Sequence, residues 1–584
     1  MIAHLPMQLA LLPAVLLTPY LLVRLLVPSL GLTASGAITG AVSFMLNALV
    51  PLLLHLLRVP IHAPSLAASH WTIFLVVCIA HAAKTAWHRR VGSMPPRCDD
   101  RASDHGSWDG TLICLLAIAF ALLVFPITHL AGIDTYKWQD LATAVRVEQA
   151  IPWLVHPLSL FGFTPRSYPS IQPLTLASIQ ILGRLGVDGG YYVMSLLSGL
   201  TGLFAALWLG EILFSARVPT MLFVFFYVFS PVFMRYNHWA TGRGVFVALL
   251  PLFLIACIRL PHLKAMLALP ILAAMLCLTH KAGIVAVPLI LVALPFGWML
   301  PRRDVQLLRI LLVIPFAAAA FLLAGHGLLS SAREVVLKSV TRFGWYIPAA
   351  ALAILCAREW WSRPAWRLLF FPALLAFPLA FYKEMYGALV ALPFVCHATT
   401  VAMAGAMDRW PRRQAALLRA AVLLGAAAAL AIVVNRSLAA TPRDVWRAAM
   451  FLERYDPFGP FRIDASEMAR TQVQAYCSGC PRFTVQPADT SAAIVLRPPP
   501  PLHGPPRAVA QAWIDYLRHA LAAGETGVDW YGANPRLYWL VIDGAGSRPG
   551  GHLLYRTGNV ELYAPVAQPD PPRAAAASPR WRRS

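Results

Sequence analysis

The sequence predicts a mainly α-helical protein that crosses a membrane about fourteen times and carries a small α/β domain toward its C-terminal end. Of its 584 residues, 58% are hydrophobic and 13% are charged, and the mean hydropathy is +0.63. Soluble domains contain about 25% charged residues, so this composition excludes a soluble globule. Apolar runs of about 17 to 25 residues, long enough to cross a bilayer, recur until about residue 436, where the composition changes.

The basic charge balance does not indicate nucleic-acid binding. The formal net charge is +22, but the lysines and arginines are spread over short segments between apolar runs and do not gather in one soluble domain. We therefore attribute the charge to membrane topology and predict no nucleic-acid partner.

The predicted spans follow the apolar runs in chain order. They lie near residues 8–28, 33–57, 69–87, 109–131, 190–214, 219–234, 244–259, 265–279, 282–300, 307–325, 342–357, 368–382, 387–405 and 415–434. With these spans alternating, the basic segments such as HRRVGSMPPRCDDR and MDRWPRR fall on one face, which the positive-inside rule makes cytoplasmic. Asp134, which follows the fourth span, then lies outside.

One apolar segment does not fit this alternation. The stretch YPSIQPLTLASIQILGRLG, residues 168–186, is helical in pattern but short, with two prolines, Gln172 and Gln180. Counting it as a span would turn every later basic loop outward. We therefore predict that residues 132–189 form one long external loop, whose amphipathic helices lie on the membrane surface.

An acidic residue opens this loop, in the stretch GIDTYKWQDLATAV. By position alone, Asp134 suits the N-cap of the helix that follows, a common use of aspartate. A carboxylate directly after a span also suits a catalytic acid or base. Asp140, further along the same helix, is predicted to face solvent.

The region after residue 436 predicts a separate small domain. TPRDVWRAAMFLERYDPFGPFRID reads as a helix and a strand, and RFTVQP, AAIVLRP and RLYWLVID are short β-branched or aromatic runs typical of strands. The span count places this domain outside the membrane. The predicted units are residues 1–108, with the extra N-terminal spans and a basic loop, the core 109–435, the domain 436–565 and a disordered tail 566–584.

Cys477 and Cys480 lack the second pair that a metal site would need, so a local disulfide is predicted.

Four sequence motifs follow one another in an order that resembles the GT-C superfamily of integral membrane glycosyltransferases. They are D-x-Y-x-W after a span, Y-P-x-x-x-P-L in the external loop, LFSARV, and FSPVFMRYNHWATGRGVFVALL. The pattern is most similar to the protein O-mannosyltransferase and aminoarabinose transferase branch and covers residues 109–260, with echoes at LTHKAG and FYKEMYGALVALP. Two departures stand out: Thr135 follows Asp134 where the family often has a second acid, and three extra spans precede the usual first one.

The resemblance implies a transferase that moves a sugar from a polyprenyl-phosphate carrier to an acceptor on the external side. Asp134 would orient the acceptor nucleophile, and cations would stabilise the departing phosphate. The residues implied in substrate or phosphate binding are Lys137, Tyr168, Arg235, His238, Arg243, His280, Lys281 and Lys383. The positive-inside bias disfavours so many basic residues outside, and a phosphate site explains them.

Other interpretations of these residues stay open. Arg235 and Arg243 can snorkel from span ends, Lys137 and Arg146 can contact lipid headgroups, and Lys383 can pair with Glu384. Trp138 and Trp239 also suit the aromatic belt of a membrane protein. A transporter or flippase of lipid-linked saccharides would use cations as well, although no internal repeat typical of transporters is recognisable. A polysaccharide polymerase is the third alternative.

The expected ligands and location follow from the resemblance and the composition. No two external acids have a spacing that demands a metal, so no cofactor is predicted, with a divalent metal left open because some GT-C enzymes use one. The expected partners are a polyprenyl-phosphate-linked sugar donor, membrane lipids and an envelope glycan, lipid or protein acceptor. The amino-acid composition is rich in alanine and arginine, which indicates a bacterium of high GC content. The expected location is therefore the inner membrane, and the expected carrier is undecaprenyl phosphate.

Overall fold

The computed structural model describes the larger part of the helical region and short pieces of the C-terminal domain. The described residues are 10–28, 30–90, 133–151, 154–155, 163–164, 170–260, 262–299, 364–375, 377–409, 443–455, 461–464, 472–473, 475–476, 484–485, 494–495, 538–542, 553–557 and 560–563.

The helices follow one another through the chain with short connections. After a π-helical turn at Pro13–Leu17, they are α1 Thr18–Leu26, α2 Leu32–Leu56, α3 Ala63–Arg90, α4 Ile133–Glu148, α5 Ile171–Gly183, α6 Val187–Leu213, α7 Arg217–Val228, α8 Pro231–His238, α9 Gly242–Ile258, α10 Leu263–Thr279, α11 Lys281–Met299, α12 Pro364–Leu375, α13 Phe377–Arg409 and α14 Arg443–Tyr455.

Long apolar helices make the chain a multi-pass membrane protein. Within the described residues, four helical stretches are long and apolar enough to cross a membrane: Leu32–Leu56, Ala63–Trp87, Val187–Leu213 and Tyr386–Gly405. Shorter apolar helices such as α9, α10 and α11 match spans predicted from the sequence to within a few residues. The predicted spans at 109–131, 307–325, 342–357 and 415–434 lie outside the described residues.

The span predicted at 219–234 is two helices rather than one. Helices α7 and α8 meet at an angle of 48°. Pro231 is the first residue of α8, and the Ser230 hydroxyl accepts a hydrogen bond from the backbone N–H of Phe233 at 3.0 Å. A proline at the first helical position and a serine cap are helix-start signals, so the chain begins a new helix here instead of continuing the old one.

The N-terminal helices pack closely against the core. A Cβ atom on Gly36 would lie 2.8 Å from the ring of Phe204, and one on Gly40 would lie 2.8 Å from the Cβ of Thr201. Both partners belong to α6. Small residues at one face of a membrane helix allow this close approach of backbones, so α2 is part of the core rather than a peripheral addition.

Helix α5 is buried inside the bundle, and the prediction that it lies on the membrane surface is wrong. Every residue from Ile171 to Leu182 is buried. Its polar side chains reach backbone carbonyls of α2: the Thr175 hydroxyl donates to Phe44 O at 3.3 Å, and the Ser178 hydroxyl donates to Asn47 O at 2.9 Å. These polar residues therefore face neighbouring helices and not water.

Helix α4 is likewise an inner helix. Asp140 is 5% exposed and Trp138 is 2% exposed. The predictions that Asp140 faces solvent and that Trp138 belongs to an aromatic belt are therefore wrong. Helix α4 packs against α5.

The C-terminal part forms a second compact unit, which comprises residues 153–164 and 442–584. Its four-stranded sheet has the order β3-β6-β8-β7, where β3 is Phe461–Asp464, β6 is Tyr538–Ile542, β7 is Leu553–Thr557 and β8 is Val560–Tyr563. Strands β3 and β6 are parallel and the other pairs antiparallel. Helix α14 packs on β7 and β8. Two short hairpins, β1–β2 (Leu154–Val155, Phe163–Thr164) and β4–β5 (Thr484–Val485, Ile494–Val495), belong to the same unit.

Candidate functional site

Three segments of the helical unit meet at the first residue of α9. A Cβ atom on Gly242 would lie 2.7 Å from Cη2 and Cζ2 of Trp138 and would also collide with the carbonyl oxygen of Thr279. Trp138 lies on α4, and Thr279 is the last residue of α10. The helix that carries Asp134 therefore touches the α8–α9 turn, and that turn in its own right touches the α10–α11 junction.

The α8–α9 turn is fixed from two sides. Ala240 has a left-handed backbone (φ 38°), and its carbonyl accepts a hydrogen bond from Gln172 Nε2 of α5 at 2.6 Å. Asn237 Nδ2 donates to Ser195 O of α6 at 3.0 Å, and the Ser195 hydroxyl donates back to Asn237 O at 3.0 Å. The Ser198 hydroxyl donates to Asn237 Oδ1. These contacts hold the turn in one conformation.

Two arginines of this turn lie over aromatic rings. Arg235 Cζ is 4.3 Å from the centroid of the Trp239 ring, and Arg243 Cζ is 5.4 Å from that of Tyr236. Trp239 and Tyr236 are themselves edge to face, with centroids 6.2 Å apart. Cation–π contacts orient a guanidinium without neutralising it. Both guanidinium groups belong to half-buried side chains of the turn.

Several buried polar atoms around the turn have unused hydrogen-bonding capacity. His238 is fully buried, and neither of its ring nitrogens has a hydrogen-bond partner among the described residues. The same holds for Trp239 Nε1, Thr241 Oγ1 and Gln172 Oε1. A buried polar group left without a partner costs about 1–3 kcal/mol, so a group of them around one turn is explained by strain, by a catalytic role or by a bound water or ion.

The α10–α11 junction adds a histidine and a lysine to the same region. His280 is 2% exposed, and its Nδ1 accepts a hydrogen bond from the Ala282 N–H at 3.0 Å. In the neutral ring, the proton is then on Nε2. The ring lies edge to face with Tyr386 of α13, at a centroid distance of 5.6 Å. Lys281 is the first residue of α11, and Lys383 precedes Tyr386 by one helical turn.

The structure thus brings together the segments of most predicted site residues. Asp134 is the second residue of α4, inside the first turn and not at its N-cap, and the position of its side chain lies outside the described part. Lys137 is half-buried on the same helix. The side chain of Lys383, and Tyr168, Cys477 and Cys480 as whole residues, also lie outside the described part, so their roles stay predictions.

Sequence reasoning missed a buried amide pair that fixes α4 to α5. Gln180 Nε2 donates to Gln139 Oε1 at 2.9 Å, and Gln139 Nε2 donates to Gln180 Oε1 at 3.2 Å. A Cβ atom on Gly190 would collide with Gln180, so α6 closes over the pair. The available signal was a glutamine in an apolar helix, which the sequence analysis interpreted as a surface feature.

A metal site is not formed by the residues that the structure describes. Within them, no group of three or more histidine, cysteine, aspartate or glutamate side chains is placed to hold an ion.

The fold and the site together define a mainly helical, multi-pass membrane protein with an aromatic and cationic turn at one end of its spans. No family model matches the sequence, and no curated protein matches it. Among solved structures, the chain is similar to ArnT from Cupriavidus metallidurans bound to undecaprenyl phosphate, at 13% identity and a TM-score of 0.48, over 78% of this chain and 98% of that one.

It is also similar to the oligosaccharyltransferase of Archaeoglobus fulgidus. In the complex with Zn and sulfate the identity is 13% and the TM-score 0.43, over 63% of this chain and 62% of that one. In the structure tethered with an acceptor peptide these values are 12% and 0.43, over 64% of each chain. Likenesses at this level do not assign a function.

Proposed function

We propose that this protein is a membrane glycosyltransferase that moves a sugar from a polyprenyl-phosphate-linked donor to an acceptor on the extracytoplasmic side. The observation that supports it is the contact of Trp138 with Gly242, which joins the helix of Asp134 to the turn of Arg235 and Arg243. An acid and several cations on neighbouring segments of a membrane protein suit transfer from a lipid phosphate.

The acid would act on the acceptor. Residues four apart share one face of a helix, so position 134 lies on the side of α4 from which Trp138 reaches Gly242. A carboxylate there orients the attacking hydroxyl or amine and accepts its proton as the new bond to the sugar carbon forms.

The cations would act on the carrier. When the bond between the sugar and the carrier phosphate breaks, negative charge grows on the phosphate oxygens, and oriented donors lower the energy of that state. Arg235 and Arg243 present guanidinium groups whose planar fork matches phosphate. His280 and Lys281 lie across the Thr279–Gly242 contact and supply further donors.

The setting would be the bacterial inner membrane, with the long external loop and the C-terminal domain on the extracytoplasmic side. The acceptor would be an envelope glycan, lipid or protein, and undecaprenyl phosphate the carrier. These assignments rest on the basic loops, the composition and the sequence resemblance.

The test is Asp134→Asn in the purified full-length protein, assayed with a radiolabelled polyprenyl-phospho-sugar and a membrane-envelope acceptor fraction. Loss of general-base assistance lowers a rate by about 10²- to 10⁴-fold, whereas binding of the donor is expected to persist. Asp444→Asn is the control, because it removes a half-buried carboxylate from α14, which belongs to the other compact unit.

A wild-type transfer rate in Asp134→Asn would remove Asp134 from the mechanism. A transporter or flippase would give a different result with the wild-type protein: the donor would cross the membrane of a vesicle with its phosphate–sugar bond intact. Release of the free carrier phosphate therefore separates the two functions.

A further inference from the structure

A polar cleft lies at the end of α4 that is opposite Asp134. It has a volume of about 440 Å³ and is lined by His62, Arg146, Gln149, Gln180, Arg184 and Gly186, with apolar residues between them. Arg146 is about 18 Å from position 134 along the helix axis, at about 1.5 Å per residue. The cleft is therefore separate from the proposed transfer site.

The N-terminal helices form one wall of this cleft. The Ile61 N–H, in the loop between α2 and α3, donates to Gln149 O at 2.6 Å, and the Ile151 N–H donates to His55 Nδ1 of α2 at 3.3 Å. His62 is held by Ser65, whose hydroxyl lies 2.7 Å from His62 Nδ1. This wall precedes residues 109–260, so it is no part of what the GT-C resemblance covers.

The charge of the cleft favours an anion. Among its described lining residues two are arginines and none is acidic. Arg184 ends α5 in a left-handed conformation (φ 49°) and is exposed, whereas Arg146 is half-buried on α4. Gly186 precedes α6, whose first turn holds Asp188 outside the lining of the cleft, so the positive field within the cleft comes from the two guanidinium groups.

The surroundings of the cleft favour a lipid over a free ion. It lies where α2 ends and α3 begins, that is, at the end of two membrane spans. On the last turns of α2, Leu53, Leu56 and the following Leu57 are 54%, 67% and 72% exposed. Exposed leucines beside a cationic cleft at a span end match acyl chains beside a phosphate headgroup.

We infer that this cleft binds the phosphate of an anionic phospholipid, with Arg146 and Arg184 as its two cationic ligands. The headgroup phosphate accepts hydrogen bonds from the two guanidinium groups, and the acyl chains lie along the exposed leucines of α2. The inference does not depend on the proposed transfer reaction.

The test measures lipid binding to the purified full-length protein. The protein in neutral detergent is titrated with short-chain phosphatidylglycerol, with short-chain phosphatidylcholine and with inorganic phosphate, and the thermal unfolding midpoint is followed. We expect phosphatidylglycerol to stabilise the wild-type protein more than phosphatidylcholine does. Charge-assisted hydrogen bonds are among the strong ones, so Arg146→Gln with Arg184→Gln is expected to weaken the phosphatidylglycerol affinity about tenfold or more.

Two further variants keep the test decisive. Arg184→Gln alone changes an exposed residue and is expected to fold, with an intermediate loss of affinity. Arg58→Gln removes an exposed arginine from the α2–α3 loop that does not line the cleft, and it is expected to bind phosphatidylglycerol like the wild type. Equal affinity in wild type and Arg184→Gln, or an equal loss in Arg58→Gln, would overturn the site. Stabilisation by inorganic phosphate equal to that by phosphatidylglycerol would overturn the assignment to a lipid.

Discussion

The two ends of helix α4 meet their surroundings in different ways. At the Asp134 end, Trp138 lies against Gly242 with no room for a side chain between them. At the Arg146 end, the helix borders a half-open cleft beside the α2–α3 loop. A tight contact fixes the geometry that a reaction needs, whereas an open cleft leaves space for a ligand to enter. One helix thus combines a tightly packed, rigid end with an open one.

The largest expected effect on the transfer rate comes from adding a methyl group to the glycine at one end of α4, compared with the glycine at the other end. Gly242→Ala would push a methyl group into Trp138 and the Thr279 carbonyl, whereas a Cβ atom on Gly186 has no neighbour within 4 Å. Displacement of catalytic groups by about 1 Å can lower a rate about 10²-fold, and we expect such a loss in transfer for Gly242→Ala. Gly186→Ala is the matched control and is expected to retain wild-type transfer. Equal rates in the two variants would mean that the Trp138 contact does not position the site.

A smaller effect is expected for the cations of the rigid end. Arg243→Gln keeps a polar side chain but removes the charge that is held over Tyr236. A hydrogen bond to a charged group contributes about 1.5–3 kcal/mol, so the dissociation constant of a polyprenyl-phospho-sugar should rise at least about tenfold. Arg217→Gln, at the exposed start of α7, is the control with unchanged affinity. Binding measured by ligand-dependent thermal shift would show whether the two arginines differ.

The smallest effect concerns the amide pair in the middle of α4. Gln139→Leu or Gln180→Leu alone leaves one buried amide without its partner, which costs about 1–3 kcal/mol of stability. The double substitution to leucine removes both polar groups and should cost less than the sum of the single changes. Thermal unfolding of the four proteins measures this coupling. Additive losses would show that the two amides do not act as a pair.

The sequence alone predicts the membrane spans well, because a span needs only length and apolar side chains. Helices α2, α6, α9, α10 and α11 lie within a few residues of their predicted bounds. Ser230 and Pro231 are start signals for a new helix, but the apolar run around them is continuous, so one span was predicted at 219–234. In that run, local start signals decide where one helix ends and the next begins.

The arrangement of the site was less accessible to sequence analysis. Gln172 and Gln180 indicated a surface helix, yet they bond to Ala240 O and Gln139 inside the bundle. A polar residue alone does not say whether water or another helix satisfies it. The contact of Trp138 with Gly242 also could not be predicted. It joins distant parts of the chain, and it depends on the absence of a side chain at Gly242.

The close contact of Gly36 and Gly40 with α6 has a consequence for the biogenesis of the protein. Helix α2 leaves the ribosome long before Thr201 and Phe204 are synthesised, and at about 5–20 residues per second the delay is roughly 10–30 s. During that interval the glycine face of α2 must remain in lipid or in the translocation machinery without its partner. The contact between α2 and α6 therefore cannot form until α6 is synthesised, and a pause in translation before residue 204 would leave the glycine face of α2 uncovered.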